Sequence, residues 1–245
     1  TGKTASAYGV WQSASGSATL VNIDTSGDGV ADMVVKINTA ESLSESDFIS
    51  VDTPAAVVAL DNLDTSEGFV VVGANEGGYA GLAVSTAGDV NGDGLDDYIV
   101  GAPYGSTADG RVGEAYVIFG TGRPGDINLA KLSTDVGFAV RGLASDDQTG
   151  RAISAAGDVN GDGFDDLIIG APYGDAGGSD AGQAYVIFGG LNPDDVDVST
   201  LSDSEGFVIQ GGEAGALASW SVSSAGDVNG DGFDDVLVGA PYGSA

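Results

Sequence analysis

Histidine and cysteine are both absent from this chain, and only 7 of its 245 residues are lysine or arginine. The lack of cysteine rules out a disulfide, a thiolate nucleophile and a thiolate metal site. The lack of histidine removes the commonest general base and zinc ligand. With 37 acidic residues against 7 basic ones the formal charge is −30. That balance opposes binding to nucleic acid and to anionic lipid alike. No run of 18 apolar residues occurs, so nothing reads as a segment inserted in a membrane as a helix. The chain starts at Thr1 without a signal-peptide pattern, as a processed or truncated protein would.

What is present points to a folded, acid-rich protein. Hydrophobic residues reach 42%, too many for a disordered acidic tail. Glycine, at 42 residues, is far above its usual share of roughly 7%. An acidic protein without disulfides can be stapled instead by hard divalent cations held through oxygen.

Three landmarks recur in register. AGDVNGDG stands at 87–94, 156–163 and 225–232; GAPYG at 101–105, 170–174 and 239–243; a Gly-Phe pair at 68–69, 137–138 and 206–207. Each series steps by 69 residues, so one supersecondary unit repeats with that period. In the second copy the small-residue stretch 150–157, then Leu167–Ala171, Ala184–Phe188 and Gly206–Gln210, read as four short strands separated by Gly, Asn, Asp and Pro. Four strands with two apolar faces must stack on neighbours. The fold class expected is all-β: a β-propeller or partial propeller of four-stranded antiparallel blades. Residues 79–143 and 150–212 make two blades, and 216–245 two strands of a third. Residues 16–73 can form a divergent blade, and residues 1–12 an outer strand for the unfinished C-terminal sheet. That closes a four-bladed ring; the alternative is an arc of a larger one. The division expected is an N-terminal β segment over 1–60 and a repeat region over 61–245.

The loop 89–97 places Asp89, Asn91, Asp93, the Leu95 carbonyl and Asp97 at positions 1, 3, 5, 7 and 9. The set recurs as Asp158, Asn160, Asp162, Phe164 and Asp166, and as Asp227, Asn229, Asp231, Phe233 and Asp235. A divergent fourth loop carries Asp24, Ser26, Asp28, Val30 and Asp32. Alternate oxygen ligands around a glycine turn select a hard cation, so about four calcium ions are expected. The EF-hand glutamate at position 12 is missing, and a strand follows in place of a helix. The acids at position 8, Asp96, Asp165 and Asp234, are expected to point away from the ion, as solvated surface or outer support. Tyr104, Tyr173 and Tyr242 are expected to wedge between blades; exposed, they would form a binding rim.

The stretch 87–105, AGDVNGDGLDDYIVGAPYG, resembles the FG-GAP repeat of integrin alpha subunits and related bacterial surface proteins, and the resemblance extends over about 79–245. It implies a propeller with calcium in the aspartate loops. Its GAP element matches Gly101-Ala102-Pro103, Gly170-Ala171-Pro172 and Gly239-Ala240-Pro241, while its FG element is degenerate here. Residues 17–49 also resemble the C-terminal end of the β-roll module of serralysin-type secreted proteins, through Asp32 and the Asp47-Phe48 pair, which implies a bacterial exported protein.

The function expected is an extracellular or cell-surface calcium-binding module for adhesion or surface recognition, and not an enzyme. Its partners would be a protein or carbohydrate ligand, or copies of itself joined through open sheet edges. The alternatives are a non-catalytic accessory domain of a secreted hydrolase and a repeated subunit of a surface polymer. Every tight carboxylate cluster is taken up by a repeated loop. No G-x-S-x-G motif occurs, and no histidine exists to activate a serine.

Overall fold

The computed structural model describes residues 9–15, 18–24, 33–37, 69–106, 110–121, 125–191 and 193–244. The chain divides into two units, Thr1–Val58 and Ala59–Ala245. In the first, β1 (Gly9–Ser15), β2 (Ala18–Asp24) and β3 (Met33–Ile37) form an antiparallel sheet in that order. Ser15 pairs with Ala18 and Gly9 with Asp24. Only Gly16-Ser17 separates β1 from β2, and a two-residue connection beginning with glycine suits a hairpin. Of the segment 1–12, expected as an outer strand for the C-terminal sheet, residues 9–12 pair with β2 along one edge of β1, and residues 1–8 lie outside the described residues.

Among the described residues the first strand of the second unit is the short β4 (Val71–Val72). The first repeat contains β5 (Ala83–Gly88), β6 (Asp97–Ala102), β7 (Glu114–Ile118), β8 (Ile127–Asn128) and β9 (Gly137–Arg141). The second contains β10 (Ala152–Gly157), β11 (Asp166–Ala171), β12 (Gln183–Ile187), β13 (Val196–Asp197) and β14 (Gly206–Gln210). β15 (Ser221–Gly226) and β16 (Asp235–Gly239) begin a third. In each full repeat the four main strands are antiparallel neighbours in chain order, β5-β6-β7-β9 and β10-β11-β12-β14. β6 and β11 end at Ala102 and Ala171, immediately before the prolines that cannot extend a ladder.

Period-two alternation divides each sheet between two interfaces. From the first sheet Ile99, Val117, Phe138 and Val140 pack with Leu167, Ile169, Tyr185 and Ile187 of the second. The opposite face of the second sheet, Ile168, Ala184 and Val186, meets Val222, Val236 and Val238 of the third. Val100, Tyr116 and Ile118 on the other face of the first sheet pack with Val71, Ile127 and Leu129. β7 and β12 are buried along their whole lengths. Each fully buried aliphatic side chain contributes about 1.5–3 kcal/mol.

The repeats also share backbone. β13 pairs in parallel with β9, and β8 with β4, so the connection within one repeat extends the sheet before it. An aspartate secures each junction. Asp126 accepts the Val70 N–H at 3.0 Å and Asp195 the Ala139 N–H at 2.8 Å. Asp195 also receives Arg141 Nη2 at 2.7 Å. The sequence reading overlooked these strands, although Asp126-Ile127-Asn128-Leu129 and Asp195-Val196-Asp197-Val198 recur in the 69-residue register.

The glycines that open the first two GAP elements, Gly101 and Gly170, sit where one repeat closely approaches the next. A Cβ on Gly101 would lie on the Gly150 carbonyl oxygen, and one on Gly170 would press on the Ser219 carbonyl. Gly101→Ala is therefore expected to lower stability by about 1–3 kcal/mol. Gly190→Ala, where an added Cβ meets nothing within 4 Å, should be nearly neutral; denaturant titration of the two variants separates these outcomes.

Asp147 lies under the second repeat at 5% exposure. Burial first, then the charges of Asp175, Asp146 and Asp180, push its carboxyl up to about 6. A raised carboxyl in the folded state means that the folded protein holds the proton longer than the unfolded chain. The stability cost of ionising Asp147 is therefore absent below about pH 4 and complete above about pH 6, with a size on the order of 2 kcal/mol. Asp147→Asn should stabilise the protein at pH 7.5 and leave it unchanged at pH 4. Equal effects at both pH values in denaturant titrations would contradict this assignment.

Candidate cation-binding loops

Each aspartate loop connects the first two strands of a repeat. The ladder shifts register just before it, between Thr86 and Gly88, Ala155 and Gly157, and Ser224 and Gly226. Glycines at positions 4 and 6 take left-handed φ values, 75° and 88° for Gly92 and Gly94, where a side chain would be strained. Asp and Asn side chains then bond forward to backbone N–H groups and turn the chain around themselves.

The pattern is the same in all three loops. Asp89 Oδ1 accepts from Gly92 N at 2.8 Å and Asp93 N at 3.0 Å, while its Oδ2 accepts from Gly94 N at 2.9 Å. Asp158 makes these bonds at 2.7, 3.1 and 3.0 Å. Asp227 makes them at 2.7, 3.1 and 3.0 Å. Asn91, Asn160 and Asn229 accept from the N–H of position 5. Asp93, Asp162 and Asp231 accept from the N–H of Leu95, Phe164 and Phe233 at position 7.

Position 9 anchors the loop to the sheet. Asp97, 1% exposed, accepts from Val90 N at 2.9 Å and Gly120 N at 2.7 Å. Asp166 accepts from Val159 N and Gly189 N, both at 2.9 Å. Asp235 accepts from Val228 N at 2.9 Å and from the Asn229 amide at 3.3 Å. Burial raises the Asp97 carboxyl above the usual range, with Asp93 and Asp89 adding to the effect against the two N–H bonds. Asp166 is pushed up to about 6, chiefly by burial and further by Asp162.

The donor set fits a hard cation. All side-chain donors are oxygen, a carboxylate has about four acceptor positions, and the N–H bonds leave some of them free. Ion pairs among the described residues join Arg141 to Glu114 and Asp195, away from the loops. Among the described residues no three acidic side chains stand as a finished cage; the loop carboxylates are turned toward the N–H groups of their own turns. The loop 24–32 lies outside the described residues apart from Asp24, whose backbone ends β2.

Among the position-8 acids, Asp96 is exposed. Asp165 reaches the preceding loop and accepts the Asp89 N–H at 2.8 Å; Asp234 does the same to Asp158 at 3.0 Å. They bond backbone across the repeat junction instead of standing in solvent, because neighbouring loops stack with their sheets. Among the GAPYG tyrosines, Tyr173 packs edge-on against Trp220 of the next repeat at 6.3 Å between ring centroids. Tyr104 contacts Tyr79 and the Arg111 guanidinium, and Tyr242 is exposed.

Stacked four-stranded sheets sharing these loops define a repeat protein of propeller-blade type. The FG-GAP repeat profile matches residues 80–118, 149–187 and 219–245. The chain thus carries three FG-GAP repeats, and repeats of this family are β-propeller blades. It is similar to integrin alpha-PS2 of Drosophila melanogaster, 30% identical over 70% of this chain and 12% of that protein. It is similar also to integrin alpha-5 of Xenopus laevis, 32% identical over 75% of this chain and 17% of the relative. Phosphatidylinositol-glycan-specific phospholipase D of Bos taurus is 34% identical over 64% of this chain and 18% of its own length. The chain therefore spans less than a fifth of these relatives.

Proposed function

We propose that this chain is an extracellular or cell-surface recognition module whose repeats are stabilised by calcium, one ion per aspartate loop. The observation that carries the reading is the loop geometry: three loops with the same inward hydrogen-bond pattern and no cationic side chain paired to them among the described residues. The bound ion would supply positive charge where carboxylates crowd, and positions 1, 3, 5, 7 and 9 would hold it. The loop 24–32 adds a fourth candidate site. The similarity to integrin alpha chains supports adhesion or recognition of a protein or carbohydrate ligand, with self-association through sheet edges as a further mode. The division into an N-terminal β segment over 1–60 and a repeat region over 61–245 belongs to this reading. So does bacterial export, which rests on the β-roll resemblance of residues 17–49.

A second reading, the non-catalytic accessory region of a secreted hydrolase, is favoured by the similarity to a phospholipase D. Both readings place the chain's role in its surface and not in catalysis.

Calorimetric titration of metal-free protein should find about four calcium sites, with magnesium weaker because it prefers to retain water. Ions that bind only the folded state should raise the melting temperature, by about 2.7 kcal/mol of stabilisation per site at a hundredfold excess over Kd. An identical melt in millimolar calcium and in excess chelator would refute the proposal.

A further inference from the structure

Asp165 and Asp234 meet the preceding loop by two hydrogen bonds each. Asp165 accepts the Asp89 N–H through Oδ2 at 2.8 Å and donates its own N–H to the Asp89 carbonyl at 3.2 Å. Asp234 and Asp158 repeat the pair at 3.0 and 3.1 Å. Gly88 and Gly157 leave room for the incoming carboxylates; a Cβ at either position would collide with them. The Phe164 ring lies on Gly92 and the Phe233 ring on Gly161, again where no Cβ would fit. Gly190 of the second repeat also donates to the Val90 carbonyl at 2.9 Å.

These contacts fall on the residues that matter for a cation. Asp89 and Asp158 are the first ligands of their loops. Asp165 lies between Phe164 and Asp166, positions 7 and 9 of the following loop, and Asp234 lies between Phe233 and Asp235. A cation that orders 164–166 therefore also fixes the carboxylate that holds Asp89. Among the described residues no position-8 acid meets the Asp227 N–H.

We propose that Asp165 and Asp234 are positioning residues that couple neighbouring aspartate loops, so that cation binding in one repeat raises affinity in the adjacent one. The inference rests on the cation-binding reading above. Coupling between two sites is reciprocal, and energies typical of such linkage correspond to about 5- to 150-fold in affinity. The series runs from the 227–235 loop through 158–166 to 89–97.

The test is calcium titration followed by the amide resonances of Gly94 and Gly163, which report the 89–97 and 158–166 loops separately. Asp165→Ala should weaken calcium binding read at Gly94 by about fivefold or more. Asp165→Asn, whose amide oxygen can still accept the Asp89 N–H, should restore part of the loss. Asp162→Asn, which removes a ligand from the 158–166 loop alone, should weaken binding at Gly94 in the parent protein but not in the Asp165→Ala background. Asp93→Asn should weaken binding at Gly163 by the same factor as Asp162→Asn weakens it at Gly94. Unchanged Gly94 curves, or additive effects in the double variant, overturn the coupling while leaving cation binding intact. If Asp165→Ala fails to fold, Asp162→Asn alone decides, since an unshifted Gly94 curve refutes the coupling. No calcium response at either glycine in the parent overturns the cation reading itself and the coupling with it.

Discussion

The structure of the repeat region depends on sheets that are apolar on both faces. β7 and β12 are buried from end to end, so the middle of each sheet is covered on both faces. Odd and even residues of the same strand therefore serve different interfaces. Ile169 packs toward the first repeat while Ile168 packs toward the third. A single sheet of this kind has no stable existence alone, and stacking is the only arrangement that removes both faces from solvent.

Stacking at this distance limits the side chains that fit on the first two strands. β10 faces both β5 and β15, and the three are built from Ala, Ser, Thr, Val, Ile and Gly. At Gly101 and Gly170 the backbone of the next repeat occupies the space of a side chain. The same closeness brings the aspartate loops together at one end of these strands. Phe164 and Phe233 lie on loop glycines, and Asp165 and Asp234 on loop N–H groups. Core packing and loop geometry are thus consequences of one repeat-to-repeat spacing.

The loops concentrate negative charge in a protein already at −30. Their N–H bonds hold the aspartates in place but supply only partial positive charge. Burial keeps Asp97 and Asp166 reluctant to ionise. A divalent ion bound as proposed would resolve that conflict, and the loops would then exchange internal repulsion for a staple in place of disulfides.

Much of this was legible in the residues alone. Period, strand positions, loop register and the proline stops all follow from local rules: alternation, turn residues and exact repetition. Those rules act within a few residues of one another, so a sequence read along its length exposes them. The partners of β1, the parallel additions β8 and β13, and the bonds of Asp165 and Asp234 were not read in advance. A short polar segment such as Asp126-Ile127-Asn128 looks like a loop until a strand edge from another repeat lies beside it. An aspartate one residue from a ligand looks solvated until a second loop is stacked against it. The sequence by itself determined the repeat, its strands and its oxygen-rich turns, because these are set by local backbone chemistry. Tertiary structure alone decided which edges and carboxylates meet across repeats, because those bonds join residues as many as 76 positions apart, and only packing brings them into contact.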